Sequence, residues 1–89
     1  MRAIISVIGH DQVGILAKVT TECAARGINV MDVTQSVLQD MFAMIMLVDL
    51  SAATTPIDEF AGVMEDLGKQ VGLDIRVMHE DLFNAMHTV

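Results

Sequence analysis

Ala3-Ile4-Ile5-Ser6-Val7-Ile8-Gly9-His10-Asp11-Gln12-Val13-Gly14-Ile15-Leu16 is the stretch that decides the fold. Its first half is a β-branched run closed by a glycine, which reads as a strand over 3–9. Past Val13 the apolar period lengthens. Leu16, Val19, Thr20, Cys23 and Gly27 recur at three- and four-residue intervals, which predicts a helix from Val13 to Arg26. Asp11 is placed to cap its first turn, and Gly27 to end it. A second strand follows over 28–38, a tight turn at Gln39-Asp40, and a third strand over 41–50. Thr55-Pro56 punctuates the next helix, with Thr55 as N-cap, Pro56 as the first helical residue, and Asp58 and Glu59 in the electropositive first turn. Its apolar stripe is Ile57, Phe60, Ala61, Met64, Leu67, Gly68 and Val71. Gly72 stops it, and Leu73 to Glu80 form a fourth strand.

The order is βαβ followed by βαβ. Two such units interleave as an α/β ferredoxin-like βαββαβ sandwich: a four-stranded antiparallel sheet with both helices on one face. Residues 1–80 make one domain. Residues 81–89 are a short helical extension, packed on that domain or on a partner, with Asp81 as its cap and Leu82, Phe83 and Met86 on one side. The strands are apolar on both faces: Ile4 and Ile8 oppose Ile5 and Val7, and Phe42, Met44, Met46 and Val48 oppose Ala43, Ile45 and Leu47. Helices cover one face only, so the pattern predicts a second cover for the other, and a second subunit is the expected one.

Composition points the same way. The chain has 89 residues, 53% of them hydrophobic, and a formal charge of −7 from 5 basic and 12 acidic residues. Counting its 6 glycines as apolar raises that share to about 60%, against ~45–50% in ordinary domains. A chain this short hides only roughly 60–65% of its surface alone, so a homo-oligomer, a dimer first, is expected. Its acidity, with no Trp or Tyr and 3 Phe, lacks both the basic footprint and the stacking rings of a nucleic-acid binder. The longest apolar run, Met41 to Val48, is far below the ~20 residues of a membrane span. The start of the chain is too short and too soon charged for a signal peptide. One cysteine suits a reducing compartment. The expected location is the cytoplasm.

Chemistry concentrates in the loop from Gly9 to Leu16. A glycine near a helix start costs ~1 kcal/mol against alanine, so Gly14 needs a reason, such as close approach of a ligand or another backbone. The free N–H groups at that helix terminus suit a carboxylate, and Asp11 beside them suits an ammonium. The plainer alternative makes Asp11 only a cap and Gly14 only a relief of crowding. Gly9-His10-Asp11-Gln12-Val13-Gly14-Ile15-Leu16, followed by Arg26-Gly27-Ile28-Asn29-Val30, resembles the ACT domain. This family consists of small βαββαβ modules that bind amino acids and related effectors. The resemblance spans about residues 1–80, and the length and C-terminal extension are similar to those of stand-alone single-ACT-domain proteins of bacteria and archaea. It implies a side-by-side or face-to-face dimer, with effector sites between the first loop of one module and the second strand of a neighbour. The matching positions are Asp11, Val13, Gly14, Ile15 and Asn29. It also implies a regulated protein that responds to the module.

The remaining chemistry-bearing residues read more plainly. His10, His79 and His87 have no paired ligand spacing, so no metal and no cofactor is expected. Cys23 falls on an apolar helix stripe and reads as core, and Met41, Met44 and Met46 on the third strand read as core or interface packing. Asp58, Glu59, Glu65 and Asp66 form a solvated helix face. The acylphosphatase chemistry that this fold also supports needs an arginine at the start of the first helix, where this chain has Lys18 as its first cation and Arg26 only at the end. The chain is therefore not expected to be an enzyme. The expected function is a regulatory module that binds an amino acid or a similar small effector at a subunit interface. The competing expectation is an interaction module that docks protein and takes no ligand.

Overall fold

The computed structural model describes residues 1–10 and 13–86. The elements run β1 (Arg2–His10), α1 (Ile15–Ala25), β2 (Asn29–Leu38), β3 (Met41–Asp49), α2 (Ile57–Val71), β4 (Asp74–His79) and α3 (Glu80–Met86). The four strands form one antiparallel sheet in the order β2-β3-β1-β4, so the middle pair comes from different βαβ units and the expected ferredoxin-like interleaving is present.

One face of the sheet carries the core. Ala3, Ile5 and Val7 of β1, Phe42, Met44, Met46 and Val48 of β3, and Ile75 of β4 are buried there against α1 and α2. From α2 the buried residues are Phe60, Met64 and Gly68, as its stripe predicts. From α1 they are Ile15, Val19 and Cys23. Val19 and Cys23 are on the stripe as expected, but its first buried residue is Ile15 rather than Leu16, which lies partly exposed. With Lys18 and Glu22 as its only charged residues, α1 is apolar almost all round, and its period does not fix its phase.

The helix ends correct two further expectations. The N-cap of α1 is Gly14, in the left-handed region at φ 81° with no side-chain cap bond. Gly14 thus precedes the helix rather than lying in its first turn. The expected cap, Asp11, lies outside the described residues. Pro56, not Thr55, is the N-cap of α2, because its extended ψ of 153° keeps it out of the helix. At its other end α1 closes as expected. The Gly27 N–H donates to Ala24 O at 3.2 Å and the Ile28 N–H to Cys23 O at 2.9 Å, with Gly27 at φ 70°, a Schellman closure.

The second face of the sheet is only partly covered. Alternation puts Arg2, Ile4, Ser6 and Ile8 there, and α3 lies against β1 and β4. Arg2 reaches Glu80 of α3 at 2.7 Å. Ile4, outside the main core cluster, is 6% exposed, while Ile8, Met41 and Ile45 remain open. Glu80, expected as the end of β4, opens α3 instead, and His79 Nδ1 accepts the Asp81 N–H at 3.1 Å. Leu82 and Met86 point to solvent rather than onto the sheet. None of the helices among the described residues is long and apolar enough to cross a membrane.

Candidate functional site

The two sequence motifs fall at opposite ends of the sheet. The register aligns His10 with Met41 and Met41 with Leu38, so the loop after β1 sits at the β2–β3 hairpin end. Asn29 aligns with Asp49, and Asp49 with Arg2, at the far end. Nine strand steps separate Asn29 from Leu38, about 30 Å at ~3.3 Å per residue. One chain therefore does not bring Val13 and Gly14 together with Asn29.

Among the loop residues, Val13 is fully exposed at 103% and Gly14 is open. Among the described residues a Cβ on Gly14 would meet nothing within 4 Å, so no crowding by them calls for a glycine there. What calls for it is the backbone: φ 81° is a conformation that side chains disfavour. Ile15 is buried at 4%, so only its backbone can face a ligand. Its side chain anchors the loop to the core. Asp11 lies outside the described residues. Asn29 is exposed at the start of β2. Beside it the Asp49 carboxylate accepts the Ser51 O–H at 2.6 Å and N–H at 2.9 Å, and these bonds hold its pKa below the ordinary value.

β2 is an edge strand, paired on one side only, by β3. It carries no Lys or Pro, and its edge-blunting features, the Asp32 charge and a bulge between Val30 and Asp32, are confined to its first half. Two surface cavities lie elsewhere. One of about 330 Å3 is bounded by Met1, Leu50 and the Ala53–Ile57 loop. The other, about 250 Å3, lies between Lys18 and Thr21 of α1 and Leu67 of α2. Neither includes a residue of the two motifs.

Other chemistry is quiet. Burial pushes the Cys23 thiol up to about 11, so at neutral pH it is a protonated core group, not a nucleophile. Among the described residues no group of three His, Cys, Asp or Glu side chains is arranged to hold a metal ion. His10 lies 3.4 Å from Asp40 across the exposed hairpin end, and His87 is outside the described residues.

The fold is a split βαβ sandwich with Val13 and Gly14 exposed ahead of α1 and a free β2 edge. The chain belongs to the ACT domain family, whose model matches residues 2–78. It is 42% identical to a UPF0237 protein of Methanopyrus kandleri over 88 residues, 99% of this chain and 98% of that one. An ACT domain protein from Streptococcus pneumoniae has the same fold at a TM-score of 0.80, with 32% identity and 98% of each chain covered. The regulatory subunit of aspartate kinase from Thermus thermophilus, in a ligand-free form, matches at a TM-score of 0.64 and 30% identity, over 86% of this chain and 50% of that one. Regulation, often by amino-acid binding, is what ACT domains do.

Proposed function

We propose that this chain is a non-catalytic regulatory module that binds an amino acid or a related small effector between two copies and signals through the assembled pair. One observation carries the reading: the loop at Val13–Gly14 and the residue Asn29 lie at opposite ends of a sheet whose β2 edge is free. Pairing two β2 edges antiparallel about a two-fold axis sets the Asn29 end of one copy beside the Leu38 end of the other. That is the end where the partner's β1–α1 loop sits. The effector's carboxylate then takes N–H groups from the start of α1 around Val13 to Ile15, Asp11 takes its ammonium, and backbone near Asn29 of the second copy closes the cage. The same pairing satisfies the unpaired edge of β2 and covers apolar surface that one small domain leaves open.

The test joins thermal shift to sedimentation. A ligand at 100 times its dissociation constant stabilises the fold by about 2.7 kcal/mol. For a domain of this size that is a rise of roughly 10–20 °C. At least one of the twenty amino acids at millimolar concentration should give it, on a chain that sediments as a dimer. Thr34→Lys, at the middle of β2, sets like charges near each other across the two-fold axis and should abolish both dimer and shift. Gly14→Asn, which tolerates the left-handed backbone, should keep the fold and lose the effector. A monomer that binds with undiminished affinity would refute the composite site. A flat panel on an intact dimer would favour the docking module, for which Ile8, Met41 and Ile45 on the open sheet face are the available surface.

A further inference from the structure

The flank of α1 beside the β2 edge is the part of the proposed site that meets the effector's side chain, and it is mainly apolar and uncharged. Lys18, Thr21 and Glu22 line the groove toward Leu67 of α2, so helical spacing turns Leu16, Thr20 and Ala24 the other way, toward β2. On β2, alternation from Val33, which packs on the core, puts Gln35 and Val37 on the same helix-covered side. Val37 is 57% exposed and Leu16 37%. With Val13 these side chains make an apolar wall at the loop end of the sheet.

Of its two polar side chains, Thr20 donates its hydroxyl back to Leu16 O at 2.8 Å and so turns its methyl group outward, while Gln35 is exposed and neutral. Among the described residues no charged side chain lies on this flank. Glu22 is paired with Arg26 on the other side of the helix, and His10 with Asp40 at the hairpin end. A net charge of −7 on each copy further opposes an acidic ligand.

We infer that the effector of the proposed composite site is an α-amino acid with an apolar side chain, and that Leu16 and Val37 set this preference. This rests on the reading above, because a second copy must close the site. A charged side chain placed on this wall loses its hydration with no counter-charge in exchange, whereas an aliphatic one buries surface on both sides. Selectivity is therefore one of side-chain polarity more than of shape.

The experiment is calorimetric titration of the full-length chain with L-leucine, L-methionine and L-valine, against L-serine, L-aspartate and L-lysine. It is run at a concentration where sedimentation finds a dimer. The three apolar amino acids should bind at least about tenfold more tightly than the other three. Val37→Lys should erase that advantage while Val37→Ile keeps it. Leu16→Ser serves as the second variant should Val37→Lys fail to fold or to dimerise, with circular dichroism and sedimentation as the checks. Serine, aspartate or lysine binding as tightly as leucine would overturn this inference and leave the regulatory reading standing. So would leucine affinity unchanged in a dimeric Val37→Lys. Absence of binding by all six and by the rest of the twenty, on an intact dimer, would overturn this inference and favour the docking module or an effector outside the twenty.

Discussion

Two glycines of α2 should respond to the same substitution with opposite signs. Gly62 is exposed, and a Cβ there would meet nothing within 4 Å. Gly62→Ala therefore returns only the helix-propensity gain, about 0.8–1 kcal/mol. Gly68, six residues on, is buried where α2 crosses onto β4. A Cβ there would sit 2.6 Å from the Leu73 carbonyl oxygen, 3.1 Å from Ile75 Cγ1 and 3.2 Å from Ile75 N. Backbone cannot yield as a side-chain tip does. The Gly68 carbonyl also accepts the Leu73 N–H at 2.9 Å, which ties the helix end to the strand that would have to move. Overpacking costs roughly 1–3 kcal/mol, and a contact this short to backbone belongs at about 2–3. Set against the same propensity gain, Gly68→Ala should lose about 1–2 kcal/mol. Urea unfolding at one fixed protein concentration separates the two, since assembly contributes to apparent stability. The midpoint should rise by roughly 0.5 M for Gly62→Ala and fall by roughly 1 M for Gly68→Ala. Shifts of the same sign would refute the close contact between α2 and β4.

Two further perturbations test other parts of the frame. Cys23 is held at about 11 in the folded chain against 9.0 for the free thiol, because burial disfavours the thiolate. A raised folded pKa contributes stability that is complete below pH 9 and lost as pH rises through about 11. The stability of wild type should thus fall more steeply than that of Cys23→Ala over that window in denaturant titrations. Parallel slopes would contradict a buried thiol. Glu80→Gln removes the Arg2 partner that fastens α3, but Arg2 is half exposed, so the loss should stay within ~1 kcal/mol and shrink further in high salt. A larger, salt-independent loss would mean that this pair carries the attachment of α3.

The alternation of strands and helices was legible because each boundary is written in residues with few conformational options. Gly27 and Gly72 hold positive φ at the ends of α1 and α2, and Pro56 marks the start of α2 within one residue. The stripe of α2 was legible for a different reason. Acidic Asp58, Glu59, Glu65 and Asp66 on its other face leave only one apolar side to bury. α1 lacks that contrast, so choosing Leu16 over Ile15 was an error that periodicity could not prevent. Gly14 was legible as unusual but not as a left-handed cap, since a glycine in a first turn and one before it look alike in sequence. Val37 carried no signal at all. It alternates like any strand residue, and its exposure is set by how much of β2 the helices cover, which the strand's own sequence does not record. The bulge after Val30 is equally silent, because it depends on which residues of β3 stand opposite.

Placing the halves of a binding site at opposite ends of one sheet makes occupancy a property of the pair. Under the proposed pairing a lone copy offers the effector either a loop without Asn29 or Asn29 without a loop, and each half-site is open to water. Affinity therefore appears only with the second copy. Whatever factor the dimer adds to effector binding, the effector adds to dimerisation. A two-fold axis generates two such sites per pair, one at each end of the joined β2 edges, so a second effector meets a dimer the first has already tightened. A rigid four-stranded frame suits this arrangement, because the signal needs no change inside the domain. It needs only a shift between separate and paired copies, and the open sheet face around Ile8, Met41 and Ile45 is then presented twice, at a spacing fixed by the axis, to any protein that responds.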